Sequence, residues 1–271
     1  MGVERTGRLC YRPAMPKETV LVDIDAGVAV VTWNRPRQRN AFSQQMWLEG
    51  RDTLRELLED RGVRAVVVTG AGEAFSAGQD LGEMTTAPAD GGEHGFPGFM
   101  NALCSFDKPL IAAVNGVGVG IGLTMLLHCD VVYVSEAARL RAPFIPLGVV
   151  PEAASSYMLP LIVGYQAAAE ILYTADWIDA RRAVELGIAS RMYAPAELLP
   201  AARAFAAKIA AGPIGAIRHT KRLVLATRAD QIRAARERED RAFEERIGTP
   251  ENLEAISAFF AKRPPDFSKI D

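Results

Sequence analysis

The sequence predicts an α/β fold. Two observations carry that expectation. Four short apolar runs, at 28–33, 64–70, 109–115 and 131–134, have the length of buried strands. Amphipathic or Gly-started helical stretches separate them, the pattern of crossover units in a parallel sheet. Past Glu152 strand-like runs nearly vanish, and only 189–193 remains a good candidate.

Each element has its own signal. Residues 1–17 read as a flexible lead-in. Runs 20–24 and 28–33 flank Asp25-Ala26-Gly27, a hairpin signal closed by Asn34-Arg35-Pro36. Ser43 caps a helix to about Arg61, with Met46, Trp47, Leu54, Leu57 and Leu58 on its apolar side. The Gly-, Pro-, Asp- and Thr-rich stretch 82–98 predicts a mobile loop, with Phe96, Phe99 and Met100 as a greasy lid. A Gly-rich turn after 109–115 opens a helix to about Cys129. The chain from about Ala196 is helical, which divides it into a core, 18–195, and a helical C-terminal region, 196–271.

Composition excludes several classes. The chain has 271 residues, 49% of them hydrophobic and 24% charged, enough to bury a core and unlike a disordered chain. Charge is nearly balanced, 31 basic against 33 acidic residues, which argues against nucleic acid as a partner. Residues 228–246 alternate acids and bases and read as a solvated face or subunit contact. Cys10, Cys104 and Cys129 form no disulfide framework or thiolate metal site. His94, His128 and His219 lack ligand spacing, so no metal is expected. No signal peptide or membrane span is visible, and a cytoplasmic location with no membrane partner is expected.

Two turns that follow buried strands are chemically suggestive. They are Phe75 to Leu81, and Asn115-Gly116-Val117-Gly118-Val119-Gly120-Ile121-Gly122. Small residues let a ligand approach the backbone, and a helix start leaves N–H groups without internal partners. Side by side, two such turns can aim two N–H donors at one developing oxyanion. Tight turns and close packing explain the same glycines, and residue types alone leave both readings open.

These segments carry a family resemblance. The chain resembles the crotonase superfamily, the enoyl-CoA hydratase/isomerase group, over roughly residues 20–265. Asn34-Arg35-Pro36 with Asn40-Ala41-Phe42, Phe75 through Leu81, Lys108 through Gly116, Cys129-Asp130, Leu147 through Pro151 and Ala183 through Ala189 appear in the family's order and spacing. The resemblance implies a spiral of ββα units with a helical C-terminal trimerisation region, in a homotrimer or dimer of trimers. It implies an acyl-CoA thioester substrate and no separate cofactor, because coenzyme A arrives with the substrate.

It also assigns residues. The oxyanion donors fall on the Gln79 and Ile121 N–H groups; many relatives carry Gly where this chain has Ile121. Arg37 and Arg39 fall in the CoA-approach segment. Ala77, Asp80, Leu81 and Gly120 shape the thioester and adenine turns. Phe259 and Lys262 match C-terminal residues beside the nucleotide, the lysine lent across the trimer interface. The two glutamates of the family's hydratases fall on Thr124 and Phe144, neither of which is an acid or base near neutral pH. Glu152 remains. It matches the lone Glu of peroxisomal-type Δ3,Δ2-enoyl-CoA isomerases and the Asp of dienoyl-CoA isomerases and of 4-chlorobenzoyl-CoA dehalogenase. Its apolar neighbours Phe144, Ile145, Leu147, Val149 and Val150 favour a raised pKa, while a first-turn Glu is also what a helix dipole favours. The expected activity is Δ3,Δ2-enoyl-CoA isomerase. The alternatives are an enoyl-CoA hydratase, a nucleophilic acid at Glu152, and a non-catalytic acyl-CoA binder. Glu83, Glu93 and His94 in the 82–98 stretch could supply a second acid or base.

Overall fold

A computed structural model of the chain describes residues 17–83 and 95–270. Most of the lead-in and the centre of the 82–98 stretch, with Glu93 and His94, lie outside them. The chain opens with the hairpin β1 (Val20–Asp25) and β2 (Val28–Trp33), then α1 (Gln44–Glu59), β3 (Ala65–Gly70), β4 (Ala74–Ser76) and α2 (Gly95–Cys104). There follow β5 (Leu110–Val114), β6 (Val117–Val119), α3 (Ile121–Thr124), β7 (Val131–Ser135) and β8 (Arg139–Arg141). The remainder is α4 (Ser155–Val163), α5 (Tyr165–Thr174), β9 (Ile178–Asp179), α6 (Ala180–Glu185), β10 (Arg191–Tyr193), α7 (Pro195–Ala210), α8 (Ile214–Ala226), α9 (Ala229–Arg246) and α10 (Pro250–Phe260).

The strands form two sheets. The larger has the order β1-β2-β3-β5-β7-β10, parallel except for the β1–β2 hairpin. The smaller has the order β4-β6-β8-β9. β3–β4, β5–β6 and β7–β8 each place one strand in each sheet, so the chain advances as a spiral of ββα units.

Alternation along the large sheet separates two apolar faces, because successive strand side chains point to opposite sides. Val66, Val68, Ala112 and Val114 face one core with Trp33, Phe42, Trp47 and Phe99. Val67, Ile111, Ala113 and Tyr133 face the other, which α7 covers with Leu198, Ala202, Ala206 and Ala210. That four-residue spacing is one helix face, and its alanines let the helix lie close to the sheet. The first helix beyond residue 195 is therefore a layer of the core.

The α1 expectation corresponds closely to the structure: Ser43 Oγ accepts from the Met46 N–H at 3.2 Å, and Met46, Trp47, Leu54 and Leu57 are buried. Three expectations need correction. The 82–98 loop ends by Gly95, where α2 begins, and Phe99 and Met100 are core residues of that helix rather than a lid. The helix to Cys129 is α-helical only to Thr124 and continues as a tighter 3-10 turn, Met125–His128. The second Gly-rich segment, expected as a turn, contains a strand, β6. A Cβ at Gly118 would lie 2.7 Å from Leu140 Cδ2, and one at Gly122 would lie 2.5 Å from the Ser76 carbonyl oxygen. A Cβ at Gly116 would overlap the Glu73 carbonyl.

That overlap is with rigid backbone. Gly116→Ala should destabilise the protein by about 1–3 kcal/mol or more, the usual cost of overpacking. Thermal unfolding of the variant measures it; an unchanged transition would mean that the two sheets are not held this close.

Candidate active site

The parallel pairing of β4 with β6, Ser76 opposite Gly118, carries the two glycine turns out of the small sheet together. Gly78, at φ +95°, presses against the next turn: a Cβ there would sit 2.9 Å from the Val119 oxygen. The Phe42 N–H donates to the Gly78 carbonyl at 2.7 Å, and the Asp80 N–H donates to the Phe42 carbonyl at 2.9 Å. Gln79 lies between them, and among the described residues its N–H has no partner. Its side chain is tied down separately, since Trp47 Nε1–H donates to Gln79 Oε1 at 2.8 Å. In the second turn Gly120 adopts φ 54°, ψ −119°, a conformation open essentially to glycine alone. Its carbonyl accepts from the Leu123 and Thr124 N–H groups at 2.8 and 2.9 Å. Ile121, the first helical residue, keeps its N–H unpaired among the described residues, and its side chain is buried in the core. The chain thus offers two adjacent backbone donors from two braced turns.

One helical turn beyond Ile121 lies Thr124. Its hydroxyl donates to Glu152 Oε1 at 2.6 Å. Glu152 Oε2 is buried and, among the described residues, has no hydrogen-bond partner. Burial pushes the Glu152 carboxyl up to about 8. The Thr124 bond and Arg236 oppose that rise, while the negative charges of Glu239 and Asp240 add to it.

The backbone that carries Glu152 is strained. Ala153 and Ala154 follow it at φ 58° and 59°, two successive non-glycine residues in the left-handed region. Such residues cost roughly 1–2 kcal/mol each and persist where their surroundings over-determine them. Here His128 Nε2–H donates to the Ala153 carbonyl at 2.7 Å. Glu239, from α9, accepts the Ala154 N–H at 2.6 Å and the Ser156 N–H at 2.8 Å, capping α4 from outside. Ser155 Oγ–H donates to the Glu152 carbonyl at 2.5 Å. Burial lowers His128 to about 4, so it is a neutral donor at physiological pH.

The other anticipated residues divide into groups. Phe144 is buried in the core at the start of the 3-10 turn Ile145–Leu147. Asp80 accepts from Arg35 at 3.0 Å and from the Gly82 N–H at 3.1 Å, holding its turn. Ala77 and Leu81 are half-buried in that turn, and the Ala77 N–H donates to the Arg39 carbonyl at 2.8 Å. Arg37 and Arg39 are exposed beside it. Phe259 and Lys262 are exposed at the end of α10, and no hydrogen bond or ion pair joins them to the turns. Glu83 accepts the Gln44 N–H at 2.6 Å at the start of α1. Glu239, His128 and Trp47 are the participants sequence reasoning did not place here. Trp47 was expected only as core, and nothing in the charge pattern of α9 marks Glu239 as buried.

Comparison with known proteins agrees with this architecture. The family model described as enoyl-CoA hydratase/isomerase matches residues 23–269. A short-chain-enoyl-CoA hydratase of Clostridium acetobutylicum is 33% identical over 253 residues, 92% of this chain and 97% of that protein. A 4-chlorobenzoyl coenzyme A dehalogenase of an Arthrobacter species is 32% identical, covering 90% of this chain and 91% of its own. The crystal structure of an enoyl-CoA hydratase/isomerase from Pseudoalteromonas atlantica T6c superposes with a TM-score of 0.89 at 35% identity, covering 92% of this chain and 99% of that one. The fold and paired turns therefore belong to a crotonase-type enzyme. The chain is a member of the enoyl-CoA hydratase/isomerase family.

The raised Glu152 pKa has a stability consequence with a definite sign. Unfolded, the carboxyl titrates near its ordinary 4.5; folded, near 8. The folded state holds the proton more tightly, so stability from this group is full below about pH 4.5 and is lost as pH rises to about 8. Glu152→Gln removes the titration. Its melting temperature relative to the parent should climb between those pH values and level off above them; a pH-independent difference would refute the burial argument.

Proposed function

We propose that the protein binds acyl-CoA thioesters and acts as a Δ3,Δ2-enoyl-CoA isomerase. One observation carries this reading: Glu152 Oε2 is buried and, among the described residues, unpartnered, whereas the other buried carboxylate beside it, Glu239, is held by backbone N–H groups, and the family's hydratase positions hold Thr124 and Phe144. Moving a double bond needs one base to take a proton from C2 of a 3-enoyl thioester and return it at C4. Ionised Oε2 accepts the C2 proton, and the electron pair left behind delocalises onto the thioester oxygen. The Gln79 and Ile121 N–H groups stabilise that oxyanion. Reprotonation at C4 gives the 2-enoyl thioester and regenerates the carboxylate. The step balances without a metal or organic cofactor. The exposed cations Arg37 and Arg39 suit the CoA phosphates. Exposed Phe259 and Lys262 suit a site completed by a neighbouring copy in a trimer.

Hydratase is the second reading, favoured by the name of the Clostridium relative. A paired assay separates them. Purified protein receives trans-3-hexenoyl-CoA and crotonyl-CoA in parallel, with Glu152→Gln as control. The expected result is isomerisation that collapses in the variant, with kcat/KM rising as pH approaches about 8 and levelling above it, because the carboxylate is the reactive form. Hydration of crotonyl-CoA that survives the variant would overturn the isomerase.

The oxyanion pair has its own test. Gly78→Ala forces a Cβ toward the Val119 oxygen and displaces the Gln79 N–H. A loss of about 10²–10³ in kcat is expected, the usual effect of removing one such donor. Full activity in that variant would remove Gln79 from the proposal.

A further inference from the structure

We infer that Thr124 is a positioning residue that holds Glu152 Oε1, so that Oε2 alone exchanges protons with the substrate. The inference rests on the isomerase reading and goes one residue beyond it. Its basis is geometric. Thr124 is wholly buried, and its N–H is fixed to the Gly120 carbonyl at 2.9 Å. Among the described residues its hydroxyl has one acceptor, Glu152 Oε1, at 2.6 Å. The two carboxylate oxygens are thereby made unequal: one is bonded, the other buried and, among the described residues, unpartnered. A carboxylate free to turn about its last bond would offer either oxygen, and the returning proton would lose its fixed origin.

The placement of Thr124 also links base and oxyanion. Ile121 and Thr124 are the first and last residues of α3, and Gly120 anchors the turn between them. A thioester oxygen bound at the Ile121 N–H is therefore set in register with the hydroxyl that aims the carboxylate. A glutamate at this position would place a second charge against Glu152. Threonine instead supplies a short neutral donor, which is what a one-carboxylate shuttle needs.

Several charged and titratable groups surround Glu152. Glu239, Asp240 and Arg236 approach from α9, and neutral His128 lies behind Ala153. None of them changes in a Thr124 variant. Loss of the hydroxyl removes a bond that favours the ionised carboxylate, so the Glu152 midpoint must move to higher pH.

The test compares Thr124→Val, nearly isosteric, with Thr124→Ser, which keeps the hydroxyl. Two readouts are used: the pH profile of trans-3-hexenoyl-CoA isomerisation, and a carbon-13 titration of the Glu152 carboxyl in unliganded protein. The valine variant should lose roughly 10–100-fold in kcat, the scale of a hydrogen bond to a charged group, with KM little changed. Its midpoint should rise in both readouts, and serine should restore both. An unshifted midpoint in the valine variant, or a midpoint that serine fails to restore, would overturn the inference. Thr124→Ala provides a second hydroxyl-free variant if valine does not fold. The two proposals fail differently: Glu152→Gln with parental isomerisation sinks the isomerase reading, whereas a dead Glu152→Gln beside an unshifted Thr124→Val sinks only the role of Thr124.

Discussion

The close approach of two backbones at the ends of β4 and β6 is the constraint on which the rest of the site depends. It exists because there is no side chain at Gly116, Gly118 or Gly122, where a Cβ would meet Glu73, Leu140 or Ser76. Asparagine amides then fix the approach. Asn40 Nδ2–H donates to the Ala71 and Ala74 carbonyls, and Asn115 Nδ2–H donates to Gly72. The family motifs around Asn40 and Asn115 thus serve mainly to clamp the chain segment between the two sheets. Two N–H groups, of Gln79 and Ile121, that have no partner among the described residues emerge from this clamp. Donors that are already oriented need no reorganisation when charge develops in front of them.

Against that rigid backbone stands a buried carboxylate that weakens the fold at neutral pH. The protein surrounds it with compensating contacts rather than with solvent. His128 and Glu239 satisfy the backbone of the strained Ala153-Ala154 turn, and Thr124 satisfies one carboxylate oxygen. The remaining oxygen has no partner among the described residues, although a buried unsatisfied polar atom typically costs about 1–3 kcal/mol. A fold under selection for stability alone would replace this acid. In the isomerase proposal, the surroundings that make this acid costly are also what set the basicity of the proton-transfer group.

Long elements and local caps were legible in the sequence because their signals are local. Ser43 stands before a helical apolar stripe, and the valines of β3 form a strand-length apolar run. The small sheet was not legible in the same way. β4 and β8 are three residues long and β9 is two, too short for any periodicity to declare itself. β6 did show the period-two spacing of its glycines, but glycine also means turn, and the turn reading masked the strand. Glu152 and Thr124 could be matched to positions of interest through the family resemblance. Their bond could not, because it joins residues 28 apart in sequence across the fold. Glu239 was illegible for the same reason: in a helix of alternating charges, only the packed structure shows which carboxylate turns inward.

The position of Glu239 bears on how the C-terminal helices relate to the site. α9 packs on α4, its Glu239 caps that helix, and its Arg236 reaches Asn101 on α2 at 2.9 Å. One C-terminal helix therefore touches both the turn and helix that follow Glu152 and the element that backs the Trp33, Phe42, Trp47 cluster. The charge of Glu239 acts on Glu152 as well, raising the carboxyl that its backbone contacts hold in place. Support and tuning come from the same side chain. A change in how α9 sits would move the turn and shift the basicity of its carboxylate together, so the helical region beyond the spiral bears on Glu152 through Glu239.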